Sequence, residues 1–285
     1  MPNWPEIESV VKNTGVTPCA YGAKRSVHDK ADTLYYSAGW IQENILGKGP
    51  LSDRYRVWGD GQQMSPGDFT DYFGMSGYTT AELVAMGYWV WTPPQPKGEF
   101  ISEGDSPEFL NLIANGLRAW EDSRWGGWAG RETKASAPSS IGAGGFAGYG
   151  RRDAHDPVLP DFIPAVQNNF AARLSWCTAS DYSSANHEPV IKGILSVSAK
   201  AGETVLLKTK VSDPDSDNLT CQWRQFKVMD SYQGDVMVSD PSSSATSVTI
   251  PSDAVPGDTI HMVLTVQDDG SPSMTSYLRT VITIK

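Results

Sequence analysis

The chain has 285 residues, 39% hydrophobic and 20% charged, a composition ordinary for a soluble globular protein and a length sufficient for two domains. A formal net charge of −10 disfavours a nucleic-acid backbone as partner, and no run reaches the roughly 18 apolar residues that a membrane-spanning helix needs. Cys19, Cys177 and Cys221 are odd in number, far apart and without metal-type spacing, so they read as packed thiols and do not specify a compartment.

The first residues, MPNWPEIESV, lack a basic start followed by an apolar stretch, so no signal peptide is visible. PEIESVVKNTG predicts a short helix with Ile7, Val10 and Val11 on one face and Gly15 as its stop. TLYYSAG, YWVWTPP and EFISEGD read as strands ending in small or polar residues. TTAELVAMG predicts a helix with a threonine cap, Glu82 in its first turn and a stop at Gly87.

The stretch EGDSPEFLNLIANGL reads as a strand end running into a helix. Ser106 suits the N-cap, Pro107 the first helical position and Glu108 the first turn; Phe109, Leu110, Leu112 and Ile113 form a buried face, and Gly116 ends it. Glu103 and Asp105 then lie at the carboxyl end of a strand, where α/β sheets gather ligands. Two carboxylates there can bind sugar hydroxyls, hold a metal or act as acid and base. The plainer alternative has Asp105 supporting the helix dipole and Glu103 solvated. Trp120, Trp125 and Trp128 follow, interleaved with Gly126, Gly127 and Gly130. Such rings either stack on sugars, with the glycines allowing close approach, or fill a core under a large loop.

SAPSSIGAGGFAGYGRR reads as a long flexible loop at the rim. The longest helix is expected after Pro164, where Val166, Phe170, Leu174 and Cys177 recur at helical spacing. Strands alternating with helices argue for a layered α/β domain over residues 1–187. Nine of the ten tryptophans precede His187, and a boundary at NHEPVI matches that shift in composition.

Residues 188–285 read as all-β. ETVLLKTKVSD, LTCQWRQFK, SVTIPSD, TIHMVLTVQDDG and YLRTVITIK are strands, separated by the turn clusters DPDSDN and DGSPS. About seven short strands over roughly a hundred residues point to an immunoglobulin-like sandwich, with Cys221 and Trp223 on one face of their strand. In DPDSDN, Asp213, Asp215 and Asp217 serve the turn itself or, with Asp268 and Asp269, offer oxygens to Ca²⁺; the loop lacks the glycine and glutamate of an EF-hand.

GKGPLSDRY, WGDG, WTPPQPKGEFISEGDSPEFLNLIANGL, GGWAGR, VQNNFAARLSWC and ANHEPVI, in this order and followed by the sandwich, resemble one arrangement over most of the chain from about Trp40 onward. It is that of cellulose-binding proteins with a nucleoside-hydrolase-like domain and a C-terminal Ig-like domain. Nucleoside hydrolases hold Ca²⁺ and ribose with an aspartate-rich motif after the first strand, completed by an aspartate at a late strand end. EGDS resembles the late element, which makes Asp105 the implied metal ligand with Glu103 beside it. The early Gly-Asp-Pro-Asp-Asp type of run is absent, so the chain reads as starting inside the usual first domain.

Two function classes stay open: a glycosidase of the nucleoside-hydrolase type using Glu103 and Asp105, with Ca²⁺ as its cofactor, and a non-catalytic binder of a carbohydrate polymer or oligosaccharide; a third, a purely structural surface module, has only the sandwich behind it. In either, Trp125, Trp128, Arg131 and Asn168 are the expected substrate-binding residues. The resemblance implies an extracellular or periplasmic place of action.

Overall fold

The computed structural model describes residues 34–60, 75, 77–88, 95–99, 107–128 and 162–285. Two compact units are present: Met1–Pro107 with Phe162–Tyr182, and Glu108–Asp161 with Ser183–Lys285. This division interleaves the two units along the chain, whereas composition alone marks a single change near residue 187.

Every described helix longer than six residues lies in the first unit. Helix α1 (Ala38–Asn44) begins at Ser37, whose hydroxyl accepts the Trp40 amide at 3.2 Å. This corrects the expectation of a strand at TLYYSAG, since residues 34–36 are helical as well. Thr, Leu and Tyr favour a strand locally, but buried Tyr36, Ile41 and Ile45 recur at helical spacing, and burial outweighs propensity. Helix α2 (Thr80–Ala85) forms as expected: Thr79 accepts from the Glu82 amide, and the Glu82 carboxylate reaches back to the Thr79 amide at 2.7 Å. Gly87, at φ +94°, follows its end. Helix α3 (Ile163–Trp176) carries Pro164 in its first turn and is buried on almost every side, the pattern of a core helix. The expected strands YWVWTPP and EFISEGD, the N-terminal helix and the glycine-rich loop lie outside the described residues, apart from isolated flanking positions.

Among the described residues of the second unit there are eight strands: β1 (Val190–Gly193), β2 (Ser196–Ala199), β3 (Thr204–Leu207), β4 (Thr209–Ser212), β5 (Leu219–Gln225), β6 (Thr246–Thr249), β7 (Thr259–Asp268) and β8 (Thr275–Ile284). The main sheet has the order β2-β8-β7-β5, with β2 parallel to β8 and the other pairs antiparallel. Strands β3 and β6 pair separately, as do β1 and β4. Val205, Leu207 and Val248 from the β3–β6 sheet share one core with Trp223, Ile260, Met262, Leu264, Val266, Leu278 and Ile282 from the main sheet. This is the expected sandwich. Cys221 packs against the core as a free thiol.

Strands β7 and β8 are buried on both faces. Alternate residues of β7 (Ile260, Met262, Leu264, Val266) enter the sandwich core, whereas His261 and Val263 point to the other face and are also buried. Their cross-strand partners Val281 and Arg279 are buried too. That outer face is met by residues between Asn115 and Trp128.

The segment starts differently from expectation. Pro107–Leu112 forms a 3-10 helix rather than an α-helix running to Gly116. Three residues per turn put Leu110 and Ile113 in one row and position 112 in another, so Leu110 is buried while Leu112 is 65% exposed.

Candidate functional site

Residues 113–128 are held against the outer face of β7 and β8 by a set of main-chain acceptors. The Asn115 and Gly116 carbonyls accept from the amides of Tyr277 and Arg279 at 2.8 and 3.2 Å, a short extension of the β8 edge. Gly116 has φ +93°, and a Cβ there would stand 1.8 Å from the Tyr277 carbonyl oxygen, so only glycine fits. Gly127 is confined by side chains: a Cβ would lie 2.5 Å from Asn111 Oδ1 and 2.7 Å from the Ala119 methyl.

Arg279 joins the segment to the sheet from beneath. Its side chain is fully buried, and Nε donates to the Leu117 carbonyl at 2.7 Å. One terminal nitrogen donates to the carbonyls of Trp125 and Gly126 at 2.7 and 3.1 Å, and the other lies 3.2 Å from His261 Nδ1. Burial and the neighbouring Arg118 lower the Arg279 pKa to about 9. Burial, then Arg279 and Arg118, push His261 down to about 3, so its imidazole is neutral. Because Arg279 has only donors to offer, His261 Nδ1 accepts and the ring proton sits on Nε2. Asp230, which accepts the His261 amide at 2.6 Å, is pushed up to about 6 by burial.

Arg118 fixes the outer edge. It pairs with Glu121 at 2.6 Å through one terminal nitrogen and donates to the Leu195 carbonyl at 2.8 Å through the other. Glu121 is held below the usual carboxylate range by its hydrogen bond to Arg118. Arg118 and Arg279 stand 5.0 and 5.6 Å from the Trp125 ring centre, and His261 meets that ring edge-on at 5.0 Å.

The aromatic residues therefore divide by role. Trp128 is 2% exposed, meets Tyr277 edge-on and donates to its hydroxyl at 3.4 Å, so it has no ring face open to a ligand. Trp125 is half-buried and engaged by two guanidinium groups and an imidazole. Trp120 is 46% exposed, the most open of the tryptophans among the described residues. Its backbone neighbour Ala119 is buried, so the ring projects from an anchored position.

In the first unit, Asn168 on α3 is buried and donates to the Tyr35 hydroxyl at 3.5 Å. Beside it, Gln167 is fully buried with neither amide atom bonded, and the Tyr55 hydroxyl is likewise buried without a partner. The Tyr55 ring packs at 5.8 Å on Phe170, one helical turn from Gln167. Burial drives the Tyr55 phenol well above its ordinary pKa, so it stays protonated. Glu103, Asp105 and Arg131 lie outside the described residues. Sequence reasoning missed Arg279 and His261, and grouped Trp120 with two rings that face inward.

A family model described as cellulose-binding Sde182, nucleoside hydrolase-like domain, matches residues 1–131, and one described as cellulose-binding protein Sde0182, C-terminal domain, matches residues 204–284. Among solved structures the chain is similar to a nucleoside hydrolase-related hypothetical protein from Saccharophagus degradans that is associated with carbohydrate metabolism. Identity is 33% and the TM-score 0.55, over 67% of this chain and 49% of that one. The chain thus spans about half of that protein's length. Human CDH23 EC21-23 matches at 17% identity and TM-score 0.27, over 34% of this chain and 33% of its own. The PKD domain of human KIAA0319 matches at 15% and 0.26, over 38% and 91%. No curated protein matches the chain.

Proposed function

The chain belongs to the family of cellulose-binding proteins that join a nucleoside-hydrolase-like domain to a C-terminal Ig-like domain, and from that premise we propose that it binds a cellulose-like polysaccharide through Trp120. The observation that carries the reading is the pairing of an exposed ring with an anchored backbone. Glucan chains present flat, apolar CH faces, and a tryptophan face stacks on them with about 1 kcal/mol or more per ring. A ring on a mobile loop loses much of that in ordering cost; Trp120 sits on a segment already fixed by Arg118, Arg279 and Gly116, so little remains to be ordered. The Arg118–Glu121 pair supplies polar groups for sugar hydroxyls.

A polysaccharide ligand places the action of the protein outside the cell. Among the described residues no helix is long and apolar enough to cross a membrane. In the hydrolytic alternative Glu103 and Asp105 would be the acid–base pair; no observation among the described residues favours it. Depletion isotherms on microcrystalline cellulose test the proposal. Trp120→Ala is expected to weaken binding severalfold with an unchanged melting temperature, whereas Trp128→Ala should lower stability first. Binding by Trp120→Ala equal to wild type would remove Trp120 from the contact.

A further inference from the structure

The turn pair at the β4–β5 and β7–β8 ends of the sandwich brings together five aspartates whose hydrogen bonds are unevenly distributed. Asp213 Oδ1 accepts from the amides of Asp215 and Asp217 at 2.8 and 3.1 Å, which is the polar-turn role expected of DPDSDN. Asp268 Oδ1 accepts from the amides of Gly270 and Met274 at 3.1 and 2.8 Å and from Asn186 Nδ2 at 3.2 Å. In both residues the second oxygen, Oδ2, is buried and has no hydrogen-bond partner. Asp268 is only 4% exposed, so water does not compensate its bare oxygen. Asp215 and Asp269 are otherwise engaged, the first with the His187 amide at 2.7 Å and the second with Asn218 at 2.8–2.9 Å.

A buried carboxylate oxygen with no partner is costly, and two in neighbouring turns are costlier still because their charges repel. Burial and the charge of Asp213 push the Asp268 carboxyl up, and Asp217 is raised by burial and by Asp213, Asp269 and Asp215. Either a proton or a cation relieves such an arrangement. The oxygens are fixed from behind by main-chain amides, which leaves both carboxylates oriented as acceptors.

We propose that these two turns hold a hard divalent cation of the Ca²⁺ class, ligated by Oδ2 of Asp213 and Oδ2 of Asp268. Among the described residues no three carboxylate, imidazole or thiolate side chains converge on one point. The rest of the shell therefore falls to amide and main-chain carbonyl oxygens and to water, donors that Ca²⁺ accepts readily in its shell of about six to eight oxygens and that Zn²⁺ does not favour. Bound there, the ion ties the β4–β5 turn to the β7–β8 turn and stabilises that end of the sandwich.

The test uses the full chain, freed of metal by chelation, with Ca²⁺ or Mg²⁺ as the probe. Calorimetry should give saturable Ca²⁺ binding tighter than that of Mg²⁺, with a rise in melting temperature. Asp213→Asn and Asp268→Asn should each weaken it by about tenfold or more. Should Asp268→Asn fail to fold, Asp213→Asn alone decides, because its Oδ1 contacts to the turn survive. Absence of saturable binding, or binding untouched by Asp213→Asn, overturns the proposal. So does a melting temperature that ignores Ca²⁺ but climbs as the pH falls, which would mean that a proton takes the place of the ion.

Discussion

Replacing Arg279 by methionine isolates what holds the 113–128 segment to the sandwich. Methionine keeps most of the apolar stem and adds little cavity, so the effect reports the guanidinium. Four interactions vanish: those to the carbonyls of Leu117, Trp125 and Gly126 and to His261 Nδ1. Three carbonyls lose their side-chain donor in a dry environment, at about 1–3 kcal/mol each, and removal of the buried charge offsets part of this. The net loss should be about 3–4 kcal/mol, a large share of the roughly 5–15 kcal/mol that stabilises a typical domain. Arg279→Lys should recover little, since one ammonium cannot span three carbonyls. Denaturant unfolding followed by tryptophan fluorescence measures the loss, and amide exchange over 113–128 locates it. A variant within about 1 kcal/mol of wild type, with unchanged exchange in that segment, would refute the reasoning.

Gly116→Ala should detach the same segment, because the added Cβ meets the Tyr277 carbonyl at 1.8 Å and φ is +93°; a loss of about 2 kcal/mol or more by the same unfolding assay is expected. The pH dependence carries two opposed signatures. His261 is pushed below its ordinary value to about 3, so its contribution is fully present above about pH 6.5 and is lost as the pH falls toward 3. Asp230 is pushed up to about 6, so folding favours its protonated form, and that contribution is lost as the pH rises from about 4 through 6. His261→Gln should therefore flatten the acid limb of a stability–pH curve, and Asp230→Asn should abolish the fall between about pH 4 and 6. A fragment of residues 188–285 lacks the cover of Leu117, Ala119 and Trp128 over the β7–β8 face, and should unfold at lower denaturant than one of residues 108–285.

Much of the sandwich was legible because its signals are local: strand runs bounded by Asp, Ser, Pro and Gly turns, with Trp223 on the inward face. The Thr79–Glu82 capping box was equally local. TLYYSAG failed because burial of Tyr36 and Ile41 in a tertiary setting overrode strand-favouring residues. The covered outer face of β7 and β8 is non-local, yet a trace of it stood in TIHMVLTVQ, where Val263 breaks the expected polar alternation. Arg279 in YLRTVITIK carries no local sign of its burial; its main-chain acceptors lie more than 150 positions earlier, beyond the reach of any periodicity. The inward turn of Trp128 and outward turn of Trp120 follow from that same long-range docking.

Hydroxyl-radical footprinting of the chain, free and bound to cellulose, tests the proposed contact most directly. Trp120 at 46% exposed should be oxidised readily in the free protein and Trp128 at 2% hardly at all. Binding should protect Trp120 and leave Trp128 as it was. Protection of other aromatic residues, with Trp120 oxidised equally in both states, would contradict the account.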